Sequence, residues 1–439
     1  MKIVYVIPGF GGTFYCQNCA YSMGLVQGFK NLPHTAVLAP MYIPFIMDRP
    51  FEPDAPIFYG ALNVYLKEKF SLLRHMPRWL ENLLNSRPLL RWIADKSAST
   101  DPAGLEEMTI EVMKGEDGRH RDELGRLVSW LKDSAKPDIV HLSNALLIGI
   151  AITIKKELDI PVFCNLDDEN AWLDEMREPY SSQGWDLIRD GAKIIDRFIS
   201  ASDYYAELVR SRIDVPEIKI QVVPKGIPVD EFVPAAPAFD PSVIGFMSRM
   251  SEPLGLDILV DAFILLKERS IHKDLKLRIT GGIAPADRKF IRRIKKKLIN
   301  RALDEDVEFE PYLYQNDKKA FFDSLTLMSV PARKGEAFGG FMLEAMASGI
   351  PVVQPKLGGY PEIIENTGGG IVYENNTPTT LAETLSGLLA EPDRIMKMSQ
   401  QGLTAVRETY SAGKIIGDLL KLYEDCACPG PLSRERQEP

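Results

Sequence analysis

Short apolar runs rich in β-branched residues alternate along this chain with longer stretches in which apolar positions recur at helical spacing. Lys2–Ile7 is the first run, closed by Pro8 and a Gly-rich turn; a helical stretch follows from about Ala20 to Lys30. Thr35–Ala39, Ile139–Leu142, Val162–Leu166, Arg197–Ser200 and Lys219–Val223 read as further strands, with an apolar helix over Ala145–Leu158. Strands buried on both faces read as continuous runs, and their alternation with helices marks βαβ units and a parallel sheet. Residues from about Ala61 to Trp130 break the alternation, with a strand-like Leu62–Leu66 and then Leu-, Trp- and Arg-rich helical sequence. This stretch reads as a helical cap, or more sharply as a pocket wall or a membrane-facing surface.

Val233–Pro241 carries three prolines in nine residues and reads as an interdomain linker. After it the pattern restarts, with strands at Val243–Met247, Leu275–Thr280, Val307–Phe309, Thr326–Pro331 and Pro351–Gln354. Helices are expected at Leu256–Glu268 and Pro285–Leu298, the latter basic, and then at Thr379–Leu389, Asp393–Tyr410 and Ala412–Asp425. The tail from Pro429 reads as disordered. The expected organisation is residues 1–236, with a helical elaboration over about 67–133, then 237–412, then a closing helix and tail over 413–439. The fold class is α/β, with two Rossmann-like, doubly wound parallel-sheet domains facing a central cleft. Ligands in such sheets bind outside the carboxyl ends of the strands, so the chemistry belongs in the loops that follow them.

Charge and composition narrow the partners. A net charge of -9 makes the chain as a whole a poor match for a phosphate backbone, so nucleic acid is not an expected partner. One lysine and a short apolar run at the start are too little for a secretory signal, and no stretch approaches a membrane span. The expectation is a cytoplasmic protein, peripheral at most to the inner face of a membrane. Five cysteines, Cys16, Cys19, Cys164, Cys426 and Cys428, are too sparse and odd in number for a disulfide scaffold. Cys16-x-x-Cys19 and Cys426-Ala-Cys428 form a four-thiolate site only if the closing helix brings them together; the alternative is free thiols.

The most specific string is Pro331-Ala-Arg-Lys-Gly-Glu336-Ala-Phe338-Gly339-Gly340-Phe-Met-Leu-Glu344, continuing to Ser348-Gly-Ile-Pro-Val-Val353. Two glycines open a helix whose N-terminus, with unpaired N–H groups and a positive dipole end, suits a diphosphate. Glu344, about a turn in, is placed to accept hydrogen bonds from a vicinal diol. Taken alone, both carboxylates would read as ordinary helix-end charges. The whole string, however, resembles the E-x7-E signature of family 4 glycosyltransferases (glycosyl transferases group 1), which are GT-B enzymes of the retaining kind. Gly245-Phe-Met-Ser-Arg249 is similar to that family's second motif, and Val222–Phe232 to its interdomain segment.

The resemblance implies roles. Glu336 would contact hydroxyls of the donor sugar, Glu344 would hold the ribose, and Arg249 would neutralise charge on the leaving diphosphate. Gly339, Gly340 and neighbouring Phe338 would line the phosphates. The base would sit near Gly282 and Leu313, and Gly11 and Gly12 would face the diphosphate from the other half. The 1–236 half would then take the acceptor, a carbohydrate, lipid or small molecule, and the 237–412 half a nucleoside-diphosphate sugar, with UDP or GDP as its nucleotide. Neither a cofactor nor a metal is expected. One departure stands out: Leu254 occupies the position where the family usually carries a second cation on the diphosphate, in Arg249-Met-Ser-Glu-Pro-Leu254-Gly255. Lys225, Arg333 and Lys334 are candidate substitutes, and the alternative is a scaffold that keeps the pocket and catalyses little.

In the N-terminal half, Gly9-Phe-Gly11-Gly12 lacks the full G-x-G-x-x-G spacing, and the second strand supplies no acidic residue for a ribose, so a nicotinamide enzyme is disfavoured. Ser143 and Asn144, just after a strand, read as sugar contacts. His141 reads equally as such a contact or as a satisfied core histidine. Asp168, in Asn165-Leu-Asp-Asp-Glu-Asn170, reads either as part of a solvated loop or as an acceptor-hydroxyl contact. A phosphorylase or epimerase of the same fold is the remaining reading.

Overall fold

The computed structural model describes residues 1–9, 17–29, 32–43, 104–214, 219–269, 273–311 and 315–427. They fall into two compact units. One is built on the chain up to Pro224 and again from Ile415, the other on Lys225–Lys414. Each contains one six-stranded sheet, and every strand pair in both is parallel.

In the first unit the strands are β1 (Lys2–Gly9), β2 (Thr35–Ile43), β3 (Ile139–Leu142), β4 (Val162–Leu166), β5 (Arg197–Ser200) and β6 (Ile220–Val222). Their spatial order is β2-β1-β3-β4-β5-β6, so the winding reverses between β1 and β3. β3 and β4 are buried along their whole length, which is why they read as unbroken apolar runs. The helix Ala412–Ala427 contributes Ile415, Ile416, Leu419 and Tyr423 to the same core as Ile3, Tyr5, Leu25, Phe29 and Phe163. A Cβ on Gly28 would lie 2.2 Å from Ile416, so the closing helix packs directly on the helix after β1.

In the second unit the strands are β7 (Val243–Met247), β8 (Lys276–Gly281), β9 (Val307–Pro311), β10 (Leu327–Met328), β11 (Val352–Pro355) and β12 (Gly370–Tyr373). The order β12-β11-β10-β7-β8-β9 has its reversal between β7 and β10. The two units therefore share an architecture and differ in where the winding turns back.

Several elements differ from expectation. Residues 145–158 form a 3₁₀ turn, Ala145–Leu147, followed by the helix Ile148–Leu158, because Asn144 Oδ1 accepts from Leu146 N and starts the turn early. The basic helix likewise begins with a 3₁₀ turn at Pro285–Asp287 and then runs Arg288–Ile299. β12, a four-residue strand opening on glycine, was not anticipated. The Pro-rich stretch 233–241 is a correction. It belongs to the second unit, where Ala235 N donates to Ser348 O at 3.0 Å and Ala238 N to Leu325 O at 2.9 Å, and the division between units falls at Pro224/Lys225. Prolines spaced along an extended segment leave the intervening N–H groups free to tie it down.

Of the stretch 61–130, the helices Glu106–Met113 and Arg121–Trp130 are described. Leu62–Leu66, Gly11, Gly12, Leu313, Cys16, Cys428 and the tail lie outside the described residues.

Candidate functional site

Reversal points in parallel sheets splay the two adjoining loops apart, which makes room for a ligand. In the second unit those loops follow β7 and β10, and they carry Arg249 and Glu336. Arg249 is part-buried and forms a two-pronged ion pair with Asp287, from Nε to Oδ2 at 2.7 Å and from Nη2 to Oδ1 at 3.1 Å. Asp287 also accepts from Ala284 N at 3.2 Å, so the turn before the basic helix fixes the carboxylate that fixes the arginine. The pair leaves the Nη1 group and one Nη2 hydrogen of the five-donor guanidinium fork outside it.

Glu336 sits on a loop held by glycines. Gly335 and Gly358 both have positive φ, +70° and +60°, and a Cβ on Gly335 would lie 2.5 Å from Gly358 N. Gly359 N donates to Glu336 O at 2.9 Å, joining the loops after β10 and β11. Tyr360, fully buried, donates its hydroxyl to Glu336 Oε2 at 2.6 Å. Gly339, at φ +91°, admits the Tyr360 ring, since a Cβ there would come within 2.7 Å of it. Any other residue at Gly335 or Gly339 would push Glu336 off its bearing.

Gly340 precedes the seven-residue helix Phe341–Ala347, which carries Glu344. Glu344 is only 8% exposed, and its Oε2 accepts from Lys318 Nζ at 2.9 Å. Phe338 turns into the core of the unit, 6.2 Å from the Tyr410 ring centroid. Gly282 O accepts from Met250 N at 2.9 Å, tying the end of β8 to the residue after Arg249.

The loop carrying Leu254 is clamped from below. Gly255, at φ +73°, lies so close to Pro331 that a Cβ would meet its carbonyl oxygen. Arg333 Nη2 donates to Asp257 Oδ2 at 2.5 Å and its Nε to Glu252 O at 3.1 Å. Arg333 thus braces the loop that holds Leu254.

The first unit uses its strand ends differently. His141 on β3 is fully buried. Its Nδ1 lies 2.5 Å from Tyr423 Oη and its Nε2 2.8 Å from Asn165 Oδ1, and Tyr423 Oη lies 2.9 Å from Tyr5 Oη. An amide oxygen only accepts, so Nε2 carries the proton, Nδ1 accepts from Tyr423, and Tyr423 accepts from Tyr5. Burial lowers the His141 pKa to about 4, and it raises both tyrosines. The structure realises the core-histidine alternative.

Asn144 is spent on capping, and Ser143 Oγ is buried without a hydrogen-bond partner among the described residues. Asp168 adopts φ +60° at the start of the helix Glu169–Leu173. Its neighbour Glu169, in the loop that reads either as solvated or as an acceptor contact, is 2% exposed. It accepts from Ala145 N, Asp167 N and Tyr205 Oη, each at 2.8 Å, with its pKa raised by burial. Cys426 packs at the edge of the same core, and its thiol pKa is raised by burial.

Sequence reasoning missed Asp287, Lys318 and Glu169. The first two carried a signal only in hindsight, as a lone acid after a Gly-Gly turn and a lysine in a polar helix start. Among the described residues, no group of three or more His, Cys, Asp or Glu is placed to hold a metal ion.

Two Rossmann-like units, with an arginine after the first strand and a Glu-x7-Glu string after the fourth strand of the second, define a GT-B protein. Residues 230–404 match the family described as glycosyl transferases group 1, and residues 111–231 match Glycosyltransferase Family 4. The chain belongs to this group 1/family 4 set of GT-B glycosyltransferases.

The chain is similar to a D-inositol 3-phosphate glycosyltransferase of Salinispora arenicola, 26% identical over 259 residues, which is 55% of this chain and 57% of that one. The chain therefore spans little more than half the length of that relative. Among solved structures, it resembles sucrose-phosphate synthase from Thermosynechococcus elongatus (TM-score 0.68, 14% identity, covering 97% of this chain and 99% of the other). It also resembles Anabaena HepE in complex with UDP (TM-score 0.66, 15% identity, 97% and 100%). At these identities the likeness concerns the fold. No helix among the described residues is long and apolar enough to cross a membrane.

Proposed function

We propose that the chain transfers a sugar from a nucleoside-diphosphate sugar to an acceptor hydroxyl, with retention of configuration and without a metal ion. The observation that carries this is the convergence of Arg249 and Glu336 on the two loops of one reversal point, with Glu344 on the helix that follows. In the reaction the bond between the anomeric carbon and the diphosphate oxygen breaks, and the acceptor oxygen bonds to that carbon. The acceptor proton leaves with the nucleoside diphosphate. A preorganised cation aimed at the departing charge contributes most where water is scarce, and Asp287 holds Arg249 in that posture beforehand. Glu336, fixed by Tyr360, accepts from sugar hydroxyls; Glu344 accepts from the ribose diol. UDP is the favoured nucleotide, because Anabaena HepE binds UDP; the phosphorylated cyclitol named for the Salinispora relative is one acceptor chemistry to try.

A second reading, a scaffold that binds nucleotide and turns over slowly, draws on Leu254 and on the pairing of Arg249 with Asp287, which takes up part of its charge. Mass spectrometry on the full chain with UDP-, GDP- and ADP-sugars, with and without cell extract as acceptor, separates them. Donor consumption with a glycosylated product, lost in Glu336→Gln and Arg249→Ala, supports transfer. Nucleotide binding without turnover of any donor supports the scaffold.

A further inference from the structure

The helix Arg288–Ile299 reads Arg-Lys-Phe-Ile-Arg-Arg-Ile-Lys-Lys-Lys-Leu-Ile, with seven cations in twelve residues of a chain whose net charge is -9. Its apolar side is fully used: Phe290, Ile291, Ile294 and Leu298 are buried. Its flanks are pinned by ion pairs, Arg293 with Glu252 at 2.9 Å and Lys297 with Asp261. Lys295 lies over the Phe309 ring. Arg288, Lys289, Arg292 and Lys296 are exposed and make no ion pair with any described residue. They fall at spacings of one, three and four, on a single outward stripe about 12 Å long. Ile299, 59% exposed, ends that stripe. Asp304 and Glu305 lie on the turn that follows the helix.

We propose that this stripe docks the protein on an anionic lipid bilayer. A helix already folded and braced on its unit needs no ordering at the surface, and a straight row of cations fits a planar negative surface along its whole length. An isoleucine of that exposure gains nothing against a phosphodiester groove, but it can enter the boundary between headgroups and acyl chains. Because the rest of the chain is acidic, an anionic membrane repels most of its surface and selects this orientation. The helix begins at the residue after Asp287, which holds Arg249. Docking therefore brings the arginine end of the candidate donor site to the lipid surface.

The test is flotation of the full chain with phosphatidylcholine vesicles, with and without 30 mol% phosphatidylglycerol. Each cation near an anionic surface contributes about a fivefold gain in partitioning. We expect binding to the anionic vesicles alone, falling steeply with salt. Arg288→Glu/Lys289→Glu/Arg292→Glu/Lys296→Glu should reduce it by at least a hundredfold with an unchanged circular dichroism spectrum, and Ile299→Asp should reduce it severalfold. The proposal is overturned by equal binding to neutral vesicles, by a folded charge-reversed variant that floats like the parent, or by tighter binding of a single-stranded oligonucleotide than of anionic vesicles at the same salt. Should the charge-reversed variant fail to fold, Lys289→Gln/Arg292→Gln carries the same comparison. Donor turnover in detergent-free buffer without vesicles reports separately on the transferase reading.

Discussion

The two units have nearly the same sheet and spend their strand-end polar residues in opposite ways. In the first unit the polar groups on β1, β3 and β4, and the first acid of the helix after β4, face inward. His141, Asn165, Tyr5 and Tyr423 satisfy one another, and Glu169 gathers three donors out of reach of water. In the second unit the groups near the ends of β7 and β10 pair with partners from elsewhere in the sequence, Arg249 with Asp287, Lys318 with Glu344 and Glu336 with Tyr360, and in each pair one member is buried and the other partly open to solvent. The difference teaches that topology chooses where polar groups collect, and burial then decides whether they hold the fold or meet a substrate.

Substitutions sharpen or break this contrast. The largest effect is expected at Arg249 and Glu336: Arg249→Ala or Glu336→Gln should lower kcat about 10²–10³-fold, with little change in Tm, as read by nucleotide release and calorimetry. A matching loss of stability would instead make these residues structural.

The reverse pattern is expected in the first unit. Tyr423→Phe strands the Tyr5 hydroxyl and His141 Nδ1, and should cost about 1–3 kcal/mol in urea unfolding. Donor affinity, measured by calorimetric titration, should stay unchanged.

Stability should also fall with acid. With His141 at about 4 folded and about 6.5 unfolded, the unfolded chain binds the extra proton between those values. Its contribution is intact above about pH 6.5 and is lost down to about pH 4, in all about 3 kcal/mol. Glu169, whose folded pKa is raised, acts in the opposite sense and blunts the slope. Unfolding curves from pH 7 to 4.5 should flatten in His141→Gln; an unchanged slope would remove His141 as its source.

The smallest expected effect is a gain. Leu254→Lys should raise kcat/KM about tenfold by returning a second cation to the diphosphate. If Lys225, Arg333 or Lys334 already supplies that charge, the substitution will do nothing.

The parallel α/β architecture was readable because buried strands and amphipathic helices leave strong periodic marks. The Glu336–Glu344 string was readable because its spacing spans a single loop and helix start. What stayed hidden joins residues far apart in sequence: Arg249 meets Asp287 across 38 positions, and Lys318 meets Glu344 across 26. No local pattern encodes such meetings. Asp167, Asp168 and Glu169 show the same gap in miniature, since a sequence displays charge but not which carboxylate the fold will bury. β12 escaped because four residues opening on glycine carry too little periodicity.

The hydroxyls of Tyr5 and Tyr423 touch across 418 positions. At translation speeds of ~5–20 residues per second, roughly 20–80 s separate the synthesis of these two side chains. The first sheet to leave the ribosome is therefore the last to be sealed. The stretch Lys225–Lys414, which supplies the whole second sheet, can finish while Ile3, Tyr5 and Phe163 still lack the helix that covers them. A nascent chain of this protein has to be kept from aggregating through its oldest strand until its closing helix arrives.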